Sequence, residues 1–252
     1  MVINNKVSKN WFEQGGKEYA RFRPEYPAEL VAFLASVVPA KKIAVDVGCG
    51  NGQLTKQLAQ YFSTVVGIDP SASQIDNAIP HEHVSYYCAS AEQIPLTDNC
   101  ANLITAAQAA HWFDLLKFYA EVQRIAVDGG VLALISYGVL NLEPVLNERF
   151  QHFYWQQIGR YWPAERQLVD TGYASLNFPF QALDTPKLEI KLEWNLQQFL
   201  GYIATWSAVQ QALEKGREDI LQLFANDITV MWGDPMLNRP IAWPINMRVG
   251  VI

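Results

Sequence analysis

Apolar positions along this chain alternate between two rhythms. From Pro27 to Val38 they recur at helical spacing, and the pattern stops ahead of Pro39. Ile43–Val47 is then a short apolar run of strand length, followed by a helical pattern over Leu54–Tyr61. The alternation continues with a strand at Thr64–Ile68, a helix from Ala72 to Ala78, and strands at Val84–Cys88 and Asn102–Ala106. Asp114 caps an amphipathic helix through Leu116, Tyr119, Val122 and Ile125. Gly129-Gly130 is expected to close that helix before a fifth strand at Val131–Tyr137. Strands separated by helices need crossover connections, so the pattern predicts an α/β fold with a Rossmann-like, mostly parallel sheet and helices on both faces. Ligands of such sheets lie beyond the carboxyl ends of the strands.

The rhythm breaks after Tyr137. Residues 141–182 read as helical and aromatic-rich, with Phe150, Phe153, Tyr154, Trp155, Tyr161 and Trp162 close together. Lys187–Trp194 alternates like a strand, Leu196–Phe224 reads as two helices meeting near Gly216, and Ile241–Ile252 reads as a strand despite Pro244. The expectation is a seven-stranded sheet with a C-terminal helical insertion. Six of the eight tryptophans lie beyond residue 150. They either line a pocket lid or pack together as a separate aromatic core.

Composition narrows the function classes. The chain has 252 residues, half of them hydrophobic and 17% charged, an ordinary globular balance. Its formal charge is −6 and it has no Lys/Arg block, so a nucleic-acid partner held by phosphate contacts is not expected. The three cysteines, Cys49, Cys88 and Cys100, lack metal-ligand spacing; no metal is expected, and reduced, partly buried thiols are. The N-terminus lacks an apolar signal-peptide region, and no run of about 18 apolar residues suggests a membrane span. The reading is a cytoplasmic protein without a membrane partner. Oligomeric state is not legible.

The chemistry concentrates where the first strand ends. Asp46-Val47-Gly48-Cys49-Gly50-Asn51-Gly52 runs from strand into helix through three alternating glycines, which let the backbone turn sharply and let a ligand lie directly on it. A dinucleotide loop needs G-x-G-x-x-G, but Gln53 stands where its last glycine belongs. No Lys-Ser/Thr follows, which excludes a Walker-type loop. The second strand ends in Asp69, whose carboxylate suits the paired hydroxyls of a ribose; its alternative role is a helix N-cap ahead of Pro70 and Ser71.

The acidic-x-Gly-x-Gly-x-Gly segment resembles motif I of the class I S-adenosylmethionine-dependent methyltransferases. Ala106-Ala107-Gln108-Ala109-Ala110-His111-Trp112-Phe113-Asp114 is similar to a run in the type 11 branch around trans-aconitate methyltransferase, as is Tyr19-Ala20-Arg21-Phe22-Arg23-Pro24. The resemblance is specific over residues 43–114, fair over 17–27 and looser afterwards. It implies S-adenosyl-L-methionine as cofactor and methyl transfer to a small-molecule acceptor, with a carboxylic acid as the favoured class. It also implies one domain, with residues 28–137 as the cofactor-binding core and 138–252 as the last strands plus a helical cap shaping the acceptor pocket. A sensor that binds the cofactor without turnover is the alternative.

On this resemblance Gly48, Gly50 and Gly52 would shape the methionine side of the cofactor site, with Cys49 in the same loop; Asp46 would support the loop, with water as its route to the cofactor ammonium, and Asp69 and Pro70 would take the ribose. Ser90, Ala91 and Glu92 would flank the adenine, although the family pattern has an acidic residue where Ser90 stands. Ala107 and Gln108 would border the reacting methyl group, and Tyr19 and Arg23 would close over the cofactor from the N-terminal side. His111 is the catalytic candidate, to orient the acceptor or take a proton; a packed, hydrogen-bonded histidine is the other reading. Arg21, Arg23 and Arg239 are candidate partners for an acceptor carboxylate.

Overall fold

The structure is a computed structural model that describes residues 24–252, so the expectations for Tyr19, Arg21 and Arg23 lie outside the described residues. The chain divides into two compact units. One unit comprises 25–139, 165–190 and 243–252. The described part of the other comprises Pro24, 140–164 and 191–242.

The first unit is built on β1 (Ile43–Val47), β2 (Thr64–Asp69), β3 (Val84–Cys88), β4 (Ala101–Ala107) and β5 (Ala126–Tyr137). Helices α1 (Ala28–Ser36), α2 (Gln53–Leu58), α3 (Ala72–Asp76), α4 (Leu115–Ile125) and, later, α6 (Arg166–Asp170) belong to it. Strand order is β3-β2-β1-β4-β5, all parallel, continued by β8 (Arg239–Val251) antiparallel to β5 and β6 (Gln181–Ala182) antiparallel to β8. A further strand, β7 (Leu188–Trp194), pairs with β8. Among the described residues the sheet therefore has eight strands where seven were expected; the addition is the two-residue β6, too short to leave a periodic signature. Residues of both parities are buried along the central strands, as in Ala44, Val45 and Val47 or Leu132 through Ile135, because helices cover both faces. β1 lies between β2 and β4, so the chain's winding direction reverses there and a crevice opens at the carboxyl ends.

Several helix ends fall a few residues short of the expectation, and the largest differences are at the end of α4 and the start of β5. Helix α4 ends at Ile125, four residues before Gly129, because the carbonyls of Arg124 and Ile125 accept hydrogen bonds from the amides of Asn99 and Cys100 on the approach to β4. The glycine pair instead lies within β5, where the register against β4 shifts and Gly129 has φ +71°. Cys88 is exposed rather than partly buried, since β3 is the sheet's edge strand. Cys49 and Cys100 are half-buried, and all three thiols are free.

The second unit packs α5 (Pro144–His152), α7 (Leu196–Ala204), α8 (Ser207–Glu214) and α9 (Glu218–Trp232). The region read as two helices is three. Thr205 closes α7 by donating its hydroxyl to the Tyr202 carbonyl at 2.6 Å, and Trp206 is extended. The Trp206 ring then sits among Tyr154, Trp162 and Tyr202, with centroids 5.5–5.6 Å away. Gly216, at φ +67°, separates α8 from α9 as expected, and α9 runs to Trp232. Phe153 stacks on Phe224 at 3.8 Å and Phe199 on Trp232 at 5.5 Å, so many of the late aromatics form this unit's own core.

One packing contact fixes the glycine loop from below. Tyr86 of β3 is the register partner of Gly67 in β2, and its hydroxyl donates to the Ile79 carbonyl at 2.9 Å. A Cβ at Gly67 would lie 2.6 Å from this ring, and one at Gly52 would lie 2.1 Å from the hydroxyl. The ring therefore occupies the space two absent side chains leave. Gly67→Ala should cost about 1–3 kcal/mol by overpacking. Urea unfolding should show most of that loss absent when the same change is made in a Tyr86→Ala background; an undiminished loss would mean the ring is not the obstacle.

Candidate active site

Asp46 is the buried anchor of the site. It stands on β1 beside its register partner Thr105 of β4, and its carboxylate accepts from the Thr105 hydroxyl at 2.8 Å and from the Thr55 hydroxyl of α2 at 2.7 Å. One acidic side chain thus ties together the strand before the glycine loop, the helix after it and the neighbouring strand. Burial raises its pKa to about 6 despite those hydrogen bonds. Its two oxygens are bonded to the walls of the loop.

The loop itself has three left-handed glycines, with φ of +70° at Gly48, +55° at Gly50 and +88° at Gly52. At Gly48 a Cβ would come within 2.4 Å of the Ala109 Cβ, so the loops after β1 and β4 meet without a gap. Around Gly50 the nearest atom to such a Cβ is Gln74 Oε1 at 3.9 Å, so the backbone there is open. Cys49 donates its thiol to the Gly50 carbonyl at 3.4 Å, and burial pushes its pKa well up, which disfavours the thiolate.

Asp69 faces this opening. Its Oδ2 accepts from the Gly50 amide and its Oδ1 from the Ser71 amide, both at 2.9 Å. Ser71, not Asp69, is the N-cap of α3, and Pro70 is exposed beside it. Each carboxylate oxygen keeps a lone pair beyond the one used.

The loops after β3 and β4 complete the rim. Ser90 is half-buried and Ala91 buried, while Glu92 accepts from the Asp114 amide at 2.9 Å and so ties its loop to the start of α4. Ala107 closes β4. Gln108 follows in the left-handed region, at φ +54°, with its amide donating to the Ile135 carbonyl and its side chain to the Tyr137 carbonyl at 3.1 Å. A non-glycine residue held so marks a place where the surrounding structure overrides local preference. His111 lies on a single 3-10 turn, Ala110–Trp112, and its Nδ1 is 3.0 Å from the Tyr173 hydroxyl. Burial, with the Arg166 guanidinium second and Glu165 opposing, lowers the His111 pKa to about 4, so the ring is neutral at pH 7. Trp112 is largely exposed.

The structure thus brings Asp46, Gly48, Cys49, Gly50, Asp69, Pro70, Ser90, Ala91, Glu92, Ala107, Gln108 and His111 to the carboxyl ends of four adjacent strands. Arg239 belongs to the other unit, where it pairs with Glu143 and donates to the Trp232 carbonyl. Sequence reasoning missed Thr55, Thr105, Tyr86 and Tyr173. Only Thr105 left a signal, as a lone hydroxyl in the otherwise apolar run that follows Asn102.

Residues 45–134 match the family model described as a methyltransferase domain. A putative methyltransferase of Dictyostelium discoideum is 35% identical over 209 residues, covering 81% of this chain and 80% of that protein. The chain belongs to the class I S-adenosylmethionine-dependent methyltransferases. A solved structure described as a putative type II methyltransferase from Anaeromyxobacter dehalogenans is 40% identical, with TM-score 0.86 over 91% of this chain and 98% of that one. An uncharacterised methyltransferase of Mycobacterium bovis is 36% identical over 120 residues, and the match spans 48% of its length. The cofactor of this methyltransferase is S-adenosylmethionine. Among the described residues no helix is long and apolar enough to cross a membrane.

Asp46 and His111 pull stability in opposite directions with pH. Asp46, with its folded pKa raised from 3.8 to about 6, binds more proton when folded, so its contribution falls as pH rises through that window. His111, lowered from 6.5 to about 4, contributes stability that is lost as pH falls through its own window. Asp46→Asn should therefore gain stability relative to the native chain between pH 4.5 and 7, and so unmask the histidine's acid sensitivity. Urea melts at both ends of that range check this; parallel profiles would mean the carboxylate titrates normally.

Proposed function

We propose that this methyltransferase holds S-adenosylmethionine over Gly48–Gly52, with the ribose on Asp69, and transfers its methyl group to an oxygen of a small carboxylic acid. The observation that carries the cofactor placement is the open backbone at Gly50 beside a carboxylate whose oxygens each retain a lone pair. On this reading Ser90, Ala91 and Glu92 border the adenine, while Ala107 and Gln108 border the methyl group. Tyr19 and Arg23, which lie outside the described residues, stay candidates for the same cofactor on the family resemblance alone. When bound, the cofactor supplies an electrophilic methyl group on a sulfonium, with the carbon–sulfur electron pair returning to sulfur on transfer.

The chain's own contribution is then alignment and exclusion of water. Asp46, through Thr55 and Thr105, keeps the glycine loop fixed in register with β4. Gln108, held by the end of β5, sets the direction of the loop that carries His111. His111 is neutral and positions the acceptor. A carboxylate acceptor is already deprotonated at neutral pH and asks for no base, which agrees with a histidine whose basicity burial suppresses. The resemblance to the trans-aconitate methyltransferase branch in residues 106–114 supports the same substrate class. Arg239 is paired with Glu143, and Arg21 and Arg23, which lie outside the described residues, stay candidates to receive the acid.

Asp69→Ala should weaken binding of the cofactor and of its demethylated product by about 2–4 kcal/mol, the worth of two charge-assisted hydrogen bonds. Calorimetry that finds unchanged affinity removes the ribose assignment. For the acceptor, di- and tricarboxylic acids should give methyl esters when assayed with labelled cofactor beside phenols and amines. His111→Ala should lower that turnover and leave cofactor affinity intact. Product from a phenol or an amine but from no acid would defeat the carboxylate reading.

A further inference from the structure

Tyr173 lies sixty-two residues beyond His111 and has no part in the glycine-loop chemistry. It is fully buried, yet its backbone has φ +61°, a conformation that costs a bulky residue strain. The turn that holds it is fixed from several sides. Gly172 before it has φ +62°, and a Cβ there would strike the Asn246 side chain at 2.7 Å. Arg248 of β8 donates to the carbonyls of Tyr173 at 3.1 Å and Leu176 at 2.5 Å. These contacts hold the turn in place, with the Tyr173 hydroxyl 3.0 Å from His111 Nδ1.

The direction of that hydrogen bond follows from what else surrounds the phenolic oxygen. Burial keeps the phenol protonated, and among the described residues His111 Nδ1 is the one hydrogen-bond partner of that buried hydroxyl, whose proton would otherwise lack an acceptor. That proton is therefore the one donated, and His111 Nδ1 receives it. Nδ1 is then an acceptor, and in a neutral ring the proton must reside on Nε2.

We propose that Tyr173 is a positioning residue that holds His111 as the neutral Nε2–H tautomer, so that His111 meets the acceptor as a hydrogen-bond donor and not as a base. This rests on the reading of His111 as an acceptor contact and deepens it. A ring whose Nδ1 is bonded and whose Nε2 carries hydrogen has no free lone pair with which to take a proton. It can clamp an oxygen that is already anionic, and it cannot activate a phenol or an ammonium group. The enzyme would thus select acceptors that arrive with their nucleophilic lone pair exposed, the carboxylates among them. The Arg166 charge also disfavours the imidazolium, and Glu165 opposes it more weakly.

Long-range proton–nitrogen NMR on the full-length chain labelled with nitrogen-15 histidine tests this without any acceptor. The four histidines are assigned by substituting His81, His83 and His152 in turn with Gln. At pH 7 His111 should show the neutral Nε2–H pattern and keep it down to about pH 5. Tyr173→Phe should convert the single tautomer to a mixture and lower turnover on the acids, with cofactor affinity by calorimetry unchanged. An imidazolium or an Nδ1–H ring in the native protein at pH 7 overturns the proposal, and so does a Phe variant that keeps the single tautomer. The native spectrum decides even if the variant fails to fold. Failure of the underlying reading has a separate signature: a His111→Ala enzyme with undiminished turnover, whatever the tautomer.

Discussion

The bond from the Asp46 carboxylate to two threonine hydroxyls is the constraint on which the site depends. A charge buried in a sheet costs more than most single contacts return, and it persists only where its lone pairs are met. Here Thr55 and Thr105 meet them, and in doing so they fix the spacing of β1, β4 and α2 around the glycine loop. Gly48 can then touch Ala109 without a gap, and Gly50 is left as the open stretch of main chain. The Asp46 carboxylate is thereby a brace, and Asp69, at the rim, faces the opening.

A second constraint acts from the opposite side. Tyr86 fills the room left by Gly52 and Gly67 and anchors to Ile79, so the loop is held between an aromatic ring below and the Asp46 brace within. Rigidity of this kind suits methyl transfer, where the electrophile is intrinsically reactive and the protein chiefly fixes distance and direction. His111 fits the same logic. Burial lowers its basicity, and the Tyr173 hydroxyl 3.0 Å from Nδ1 fixes its ring.

Much of the architecture was legible because parallel strands buried on both faces leave continuous apolar runs and their crossover helices leave amphipathic ones. The runs at 43–47, 64–68, 84–88 and 102–106 are strands within a residue or so of their predicted bounds. What failed were boundaries set by partners distant in the chain. The end of α4 depended on amides of residues 99 and 100 capturing its carbonyls, so the glycine pair after it was a misleading stop signal. The break at Thr205-Trp206 depended on where the Trp206 ring packs, which no local propensity encodes.

The candidate site divides along the same line. The sequence by itself determined the glycine loop, the acidic end of β2 and the His111 run, because each is a local requirement: a left-handed turn, a strand terminus, a motif contiguous in the chain. Only the tertiary structure decided what those groups do to one another. It turned Asp46 inward to two threonines from other elements, placed Tyr86 under the loop, and brought Tyr173 to His111. The physical reason is that pKa, tautomer and hydrogen-bond direction are properties of a surrounding, and this surrounding is assembled from segments dozens of residues apart.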